Sequence, residues 1–197
     1  MKRSRAVTAL RLALMLAAAA SLPGCAGVLV GGGAAVGTAA YSDRGVDGAA
    51  RDMKIGTTIY TRFFDFSQDL AIKIGTEVYD GRVLLTGVAA NEQMRADAVR
   101  IAWTVGGVKD VLNEIQLTGG SAGDLSRDSW ITTQLKSKIT FDKEIMAVNY
   151  SIETVNQTIY LIGLAQSRAE MDRVMAHARS IEYVKDVVSH VKIKGAS

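Results

Sequence analysis

The feature that most constrains the fold is an internal duplication. Residues 52–117 align with residues 128–193 at a constant offset of 76, without gaps. The tetrapeptide Val-Lys-Asp-Val occurs at 108–111 and again at 184–187, and apolar character is kept at many further paired positions. A repeat of this length indicates one structural unit present twice. The 197 residues are therefore expected to hold two small units of about 66 residues, not one ordinary domain.

Each copy has the same predicted element order. In copy one, Ile55, Ile59 and Phe63 are spaced four residues apart, which predicts one buried face of a helix. Asp80-Gly81 is a strong hairpin signal between two strands, because glycine accepts positive φ. The predicted elements of copy one are a helix from about residue 52, strands 71–79 and 82–88, a helix 91–105 and a strand 109–117. The predicted fold class is α+β, with two tandem αββαβ units, each a small three-stranded mixed sheet packed by two helices.

These residues resemble the BON domain family. That family's pattern has a strand pair ending in G-x-V-x-L-x-G, here residues 81–87, and a later G-V-x-x-V element, here residues 107–111. Copy two departs from the pattern with Gln157 and Tyr183 at two of the glycine positions. The expected structural turn residues are Gly81, Gly87, Gly107 and Gly163. The resemblance to dual-BON outer-membrane lipoproteins implies phospholipid association, support of envelope integrity and no catalysis.

The first 24 residues have the pattern of a signal peptide. A basic start is followed by a short apolar run at 12–20, too short to span a membrane. Leu22-Pro23-Gly24-Cys25 resembles a bacterial lipobox, which implies cleavage before Cys25 and acylation of that residue. Several acyl chains give stable anchoring. The residue after the cysteine is Ala26 and not an aspartate, which in lipoproteins of this type implies export to the outer membrane. The protein is then expected to be anchored by lipid and to face the periplasm.

A Gly- and Ala-rich segment follows the anchor. Gly27 and Gly31 have GxxxG spacing, as have Gly33 and Gly37, which is typical of helix packing in membranes. Three consecutive glycines at 31–33 favour a flexible tether instead. We expect the tether to cover 25–51, followed by unit one at 52–118, a linker at 119–127 and unit two at 128–194.

The net charge argues against nucleic acid as a partner. The whole chain carries 23 basic and 20 acidic side chains. Four of the basic residues precede Cys25 and leave with the signal peptide, so 19 basic side chains remain against 20 acidic ones. The apparent basicity belongs to the targeting segment, and the mature chain has no bulk attraction for a polyanion.

Residues that carry chemistry are sparse. His177 is predicted at a helix surface or at the edge of the core, and His190 at an exposed strand position. The single cysteine, Cys25, is expected to be acylated. No pattern of a metal site, P-loop or catalytic Cys pair is present. We therefore predict a protein that is not an enzyme, with no cofactor, no metal and no small-molecule substrate.

The strongest binding candidate is the first helix of copy two, predicted at 127–140. Trp130 aligns with Lys54 of copy one and is therefore expected to be partly exposed. A tryptophan suits the membrane–water interface, and basic side chains there attract anionic headgroups. The predicted lipid-binding residues are Arg127, Trp130, Gln134, Lys136 and Lys138. The alternative is that Trp130 is buried against copy one.

A rival function is a protein-interaction adaptor for an envelope assembly or division factor. Its marker would be an exposed apolar patch away from the helix at 127–140. Phe64 and Phe66, near the end of the first helix of copy one, are expected to pack against the sheet or the other copy.

Overall fold

The computed structural model describes residues 40–117 and 125–196. The expected signal peptide, Cys25, most of the tether, residue 118 of unit one and residues 119–124 of the linker lie outside these ranges. Unit one contains α1 (Gly45–Phe66), α2 (Gln68–Lys73), β1 (Ile74–Tyr79), β2 (Arg82–Ala89), α3 (Glu92–Trp103), β3 (Asp110–Asn113) and β4 (Gln116–Leu117). Unit two contains α4 (Leu125–Phe141), a 3-10 turn (Ala147–Asn149), β5 (Tyr150–Val155), β6 (Thr158–Ala165), α5 (Arg168–Arg179) and β7 (Asp186–Ile193).

The sheet topology confirms the predicted fold class. In unit one, β2 is the central strand, antiparallel to β1 and parallel to β3 and β4. In unit two, β6 is antiparallel to β5 and parallel to β7. Each mixed sheet buries one face under its own helices. The cores contain the predicted helix stripes: Ile55, Ile59 and Phe63 in one, and Ile131, Leu135 and Ile139 in the other.

The first helix begins earlier than expected. The tether was predicted to run to residue 51, but α1 starts at Gly45, so 45–51 form its first two turns. The residues just before α1 contact unit two, where Ser42 Oγ donates to Asn149 Oδ1 at 3.1 Å. Buried Gly48 gives this early part of the helix an inward face, which the repeat alignment could not predict because it starts at residue 52.

Two predicted strands also differ in extent. The strand predicted at 71–79 begins only at Ile74, because residues 71–73 complete α2, in which Leu70 and Ala71 are buried. The strand predicted at 109–117 is split into β3 and β4. Asn113 Oδ1 accepts a hydrogen bond from Ile115 N at 3.2 Å, and this local side-chain bond competes with the strand ladder.

One buried aspartate in each unit holds the hairpin. Asp52 accepts hydrogen bonds from the backbone N–H groups of Asp80 and Gly81, both at 2.8 Å. Asp128, its repeat partner, accepts the same pair of bonds at 2.8 Å from residues 156 and 157 of unit two. The hairpin residues have positive φ in both units, as a two-residue turn of this kind requires. The aspartate at the start of each repeat is therefore a structural anchor.

Of the four predicted turn glycines, Gly81 and Gly107 lie in turns, whereas Gly87 and Gly163 lie inside β2 and β6. Gly81, Gly87, Gly107 and Gly163 all have positive φ. A Cβ on Gly87 would lie 2.1 Å from Lys73 O, and one on Gly163 would lie 2.0 Å from Asn149 O. The backbone therefore approaches each second strand too closely for a side chain.

The two sheets pack against each other through their remaining faces. A separate apolar cluster joins Tyr79 and Leu84 of unit one to Tyr160 and Ile162 of unit two. Leu84 and Tyr160 occupy the same repeat position, so the contact is close to two-fold symmetric.

The histidine of β7 takes part in this interface. His190 was predicted to be exposed, but it is half-buried, with Nε2 2.7 Å from Glu114 Oε1, and Glu114 is its repeat partner. The prediction was wrong because a single unit does not reveal that its outer sheet face is covered by the other unit. Packing of unit one against unit two partly buries His190 and pairs it with Glu114.

Candidate functional site

One face of α4 carries most of the predicted binding residues. At 100° per residue, Arg127, Trp130, Gln134 and Lys138 fall within about 80° of each other on the helix. Phe141, 82% exposed, lies about 20° from Trp130 on the same face. Trp130 is 41% exposed, Lys138 is exposed, and Arg127 and Gln134 are half-buried. Aromatic and cationic groups thus share one accessible face beside the buried stripe.

Trp130 is part of an aromatic and cationic cluster within unit two. Its ring meets the ring of Tyr183 edge to face, with the centroids 6.1 Å apart. The Arg127 guanidinium lies over the Tyr183 ring, 5.1 Å from its centroid. Tyr183 is 51% exposed and lies in the turn between α5 and β7. The alternative of a Trp130 buried against unit one is not what the structure shows.

Tyr183 is a candidate functional residue that the sequence reasoning did not identify. It has φ +68°, the left-handed conformation that its repeat partner Gly107 adopts with φ +96°. A non-glycine residue in this region costs about 1 kcal/mol. Unit two therefore keeps a strained backbone while placing a tyrosine beside Trp130, and strain of this kind often marks a functional site. The departure from the repeat at residue 183 was the available signal.

Lys136 lies on a different flank of α4. It is about 120° from Trp130 around the helix. Its positive charge acts on the carboxylates of Glu77 and Glu153, a repeat-related pair at the sheet interface. Burial and the neighbouring Glu77 carboxylate raise the pKa of Glu153 to about 7. The structure thus separates Lys136 from the other four predicted binding residues.

The first helix of unit one has a different exposed face. Met53, Tyr60 and Phe64 are spaced by seven and four residues, so they form one stripe along α1, and each is about half exposed. Their repeat partners on α4 are polar: Ser129, Lys136 and Thr140. Phe64 was expected to pack but is 49% exposed. Phe66 is 54% exposed, and the Arg100 guanidinium lies over its ring, 5.7 Å from the centroid.

The remaining chemistry-bearing groups form local pairs. His177 Nε2 lies 2.8 Å from Asp142 Oδ2, at the surface of α5. Within 40–117 and 125–196, no cluster of three or more His, Cys, Asp or Glu side chains is placed to hold a metal ion. Over the same two ranges, no helix combines the length and the apolar character needed to cross a membrane.

Comparison with known proteins places both units in one family. The BON domain pattern matches residues 62–119 and 127–195. The chain is 35% identical over 151 residues, 76% of its length, to an uncharacterized protein of Anaplasma centrale, covering 96% of that protein. It is 31% identical over 194 residues, 92% of its length, to outer membrane lipoprotein DolP of Haemophilus influenzae, covering 95% of that protein.

A third relative has a lower identity. The chain is 26% identical over 131 residues, 65% of its length, to osmotically-inducible protein Y of Escherichia coli, covering 63% of that protein. The two pattern matches, the repeated αββαβ topology and the near full-length similarity to an outer membrane lipoprotein all agree. The chain is a member of the BON domain family, with two BON domains packed sheet to sheet.

Proposed function

We propose that this BON-family envelope protein is a non-enzymatic lipoprotein that binds anionic phospholipid through one face of α4. The observation that carries the proposal is a cluster of the half-buried Arg127 with the exposed Trp130 and Tyr183. The two ring centroids are 6.1 Å apart, and the guanidinium is 5.1 Å from the centroid of the tyrosine ring. Tryptophan and tyrosine are the side chains that favour the membrane–water interface. In this proposal, Cys25 supplies the anchor in the outer membrane and α4 makes a second contact.

The contact would combine two modest forces. Partial burial of the Trp130, Tyr183 and Phe141 rings removes apolar area from water, and an aromatic tip that carries N–H or O–H can still reach a headgroup. Arg127 and Lys138 on the same face would each contribute roughly 1 kcal/mol near an anionic surface. Because the anchor holds the protein at the membrane, a weak second contact is enough to orient it.

Cosedimentation with vesicles tests the proposal. A soluble form of residues 26–197 contains the whole compact unit Thr38–Ser197. We expect it to bind phosphatidylglycerol vesicles and to bind neutral phosphatidylcholine vesicles more weakly. Trp130→Glu should reduce binding about tenfold or more, because it places a negative charge at the interface. Circular dichroism checks that the fold is kept.

Two lysines on the same helix provide a matched control. Lys138→Gln and Lys136→Gln remove the same charge from α4, but only Lys138 lies on the proposed binding face. We expect Lys138→Gln to weaken vesicle binding about fivefold and Lys136→Gln to have little effect. Equal losses in the two variants would mean that net charge, not this face, governs binding. Unchanged binding of Trp130→Glu would refute the proposal.

A second candidate function is a protein-interaction adaptor, and α1 favours it. The stripe of Met53, Tyr60 and Phe64 is an exposed apolar patch on the helix of unit one, away from α4. Exposed apolar patches of this kind often serve as protein contact sites. If α1 is an adaptor surface, Tyr60→Ser combined with Phe64→Ser should abolish recovery of an envelope protein in detergent. The same change should leave vesicle binding by α4 intact.

A further inference from the structure

A cavity of about 310 Å³ lies at one end of the interface between the two sheets. Both units line it, together with the segment that precedes α1. From unit one come Tyr79, Asp80 and Arg82, and from unit two come Gly163, Leu164 and Lys192. Asp43 and Arg44 complete the wall. The α4 face is not part of this lining.

The cavity wall holds two buried donors that lack acceptors. Among the side chains of the described residues, the only buried nitrogen or oxygen atoms without a hydrogen-bond partner are Nε of Arg44 and Nε of Arg82. Arg82 is only 9% exposed. A buried guanidinium N–H without an acceptor costs more than 1 kcal/mol, so the arginines at this end of the interface are incompletely paired.

The other bonds of these arginines leave the two Nε groups unpaired. Arg82 Nη1 donates to His190 O at 2.9 Å, while its Nε is 3.7 Å from Asp110 Oδ2, beyond hydrogen-bond distance. Arg44 Nη1 donates to Asp52 Oδ2 at 2.7 Å and to Val78 O at 3.0 Å. Each arginine is thus fixed in place by one nitrogen while another has no acceptor.

Most charges around the cavity are paired, and one lysine is left to attract an anion. Arg44 forms an ion pair with Asp52, and Arg82 forms a longer one with Asp110. The two acidic residues of the cavity already have cationic partners: Lys194 Nζ lies 2.6 Å from Asp43 Oδ1, and Lys109 Nζ lies 2.8 Å from Asp80 Oδ1. The hydrogen bond from Lys194 holds the pKa of Asp43 below its ordinary value. Lys192 is exposed, and no ion pair is recorded for it in the part of the chain that the structure describes.

The opposite end of the interface shows that this arrangement is specific. Gln116 is the repeat partner of Lys192, and it closes that end. Its amide donates to Tyr160 Oη at 3.0 Å and accepts from Asn156 Nδ2 at 2.7 Å. Thr158 stands there in place of Arg82. One end of a nearly symmetric interface is therefore bridged by hydrogen-bonded neutral amides, while the other end carries three cationic side chains around a cavity.

We propose that this cavity binds a phosphate-type oxyanion, either free phosphate or the phosphate of a glycerol phosphate headgroup, between Arg44, Arg82 and Lys192. Guanidinium groups match phosphate oxygens in geometry and charge, and Lys192 adds a point charge from the other unit. The bound anion lies between the guanidinium groups of Arg44 and Arg82 and the ammonium group of Lys192, and so links unit one to unit two. This site goes beyond the contact proposed for α4.

Titration with inorganic phosphate at constant ionic strength tests the site. In the soluble form of residues 26–197, phosphate should shift the backbone amide resonances of Gly163 and Leu164 saturably and raise the melting temperature, whereas chloride should not. Lys192→Gln introduces the residue found at the opposite end and should weaken phosphate affinity about fivefold. Lys143→Gln removes the same charge from an exposed position outside the cavity and should have no effect.

Further variants keep the test decisive. Arg82→Lys retains the charge but removes the planar N–H groups, so phosphate affinity should fall further than in Lys192→Gln if the variant stays folded. Trp130→Glu should leave phosphate affinity unchanged, so failure of the α4 proposal is distinguishable from failure of this one. Equal losses in Lys192→Gln and Lys143→Gln, or no saturable shift at Gly163 and Leu164, would overturn the proposal.

The source of the phosphate is resolved by competition. If glycerol phosphate and phosphatidylglycerol vesicles both displace inorganic phosphate from the Trp130→Glu variant, the cavity binds a lipid headgroup. If inorganic phosphate and glycerol phosphate bind and vesicles do not compete, it takes a soluble phosphate. Both outcomes support the site and differ only in its ligand.

Discussion

The two BON units share a backbone and differ in the surface of their first helices. Asp52 and Asp128 make the same pair of bonds to their hairpins, and Ile59 and Leu135 are both fully buried at one repeat position. The exposed faces have diverged: α1 presents an apolar stripe through Tyr60, whereas α4 presents Trp130 beside a strained tyrosine. The difference shows that the repeated positions maintain the fold, while the unrepeated ones carry the candidate functions.

The largest expected effect concerns what the units share. Asp128→Ala should lower the free energy of unfolding by about 3 kcal/mol, because two partly buried N–H groups lose a charged acceptor. Asp52→Ala should cost more, since it also leaves the Arg44 guanidinium, 2.7 Å away, without its counter-ion. Urea denaturation of the soluble form measures both. Losses below about 1 kcal/mol would show that these aspartates are not the common anchor of the two units.

The second prediction uses the repeat-related carboxylates at the interface. The pKa of Glu153 is raised from 4.5 to about 7, first by burial and then by Glu77. Because the folded state holds this proton more tightly than the unfolded chain, the stabilisation is present below about pH 4.5 and is lost as the pH rises through about 7. Glu153→Gln should remove this loss and be more stable than the unmodified protein at pH 8 by about 1–3 kcal/mol.

Denaturation at several pH values checks the Glu153 prediction. The difference between Glu153→Gln and the unmodified protein should grow from pH 5 to pH 8. Glu92→Gln, an exposed change on α3, should follow the unmodified curve at every pH. If the stability of Glu153→Gln and that of the unmodified protein change in parallel with pH, the interpretation that Glu153 titrates in this range is contradicted.

The third prediction separates stability from binding in unit two. Tyr183→Gly restores the residue found at this position in unit one and should stabilise the fold by about 1 kcal/mol, because glycine adopts φ +68° without strain. The same change should weaken vesicle binding, since it removes the ring beside Trp130. Gln157 in the hairpin also has φ +68°, so Gln157→Gly relieves the same backbone strain as Tyr183→Gly and is the matched control. It should stabilise the fold and leave vesicle binding unchanged.

Much of this arrangement was predictable from the repeat. The offset of 76 identified the two helix stripes, the hairpins and the exposed position of Trp130, because core positions recur in both copies. The sheet interface could not be predicted, since each unit alone leaves one sheet face uncovered. For that reason His190 was wrongly expected to be exposed, and Lys136 was assigned to the lipid face although its charge acts on the interface carboxylates.

The most direct test of the account is the fluorescence of Trp130. The chain has two tryptophans, Trp103 on α3 and Trp130 on α4, so Trp103→Phe leaves Trp130 as the only reporter. With phosphatidylglycerol vesicles, the emission of this variant should shift to shorter wavelength as the indole enters a less polar environment. The reciprocal Trp130→Phe protein, which reports from unit one, should show no shift. A shift confined to Trp103, or none in either protein, would contradict lipid binding by α4.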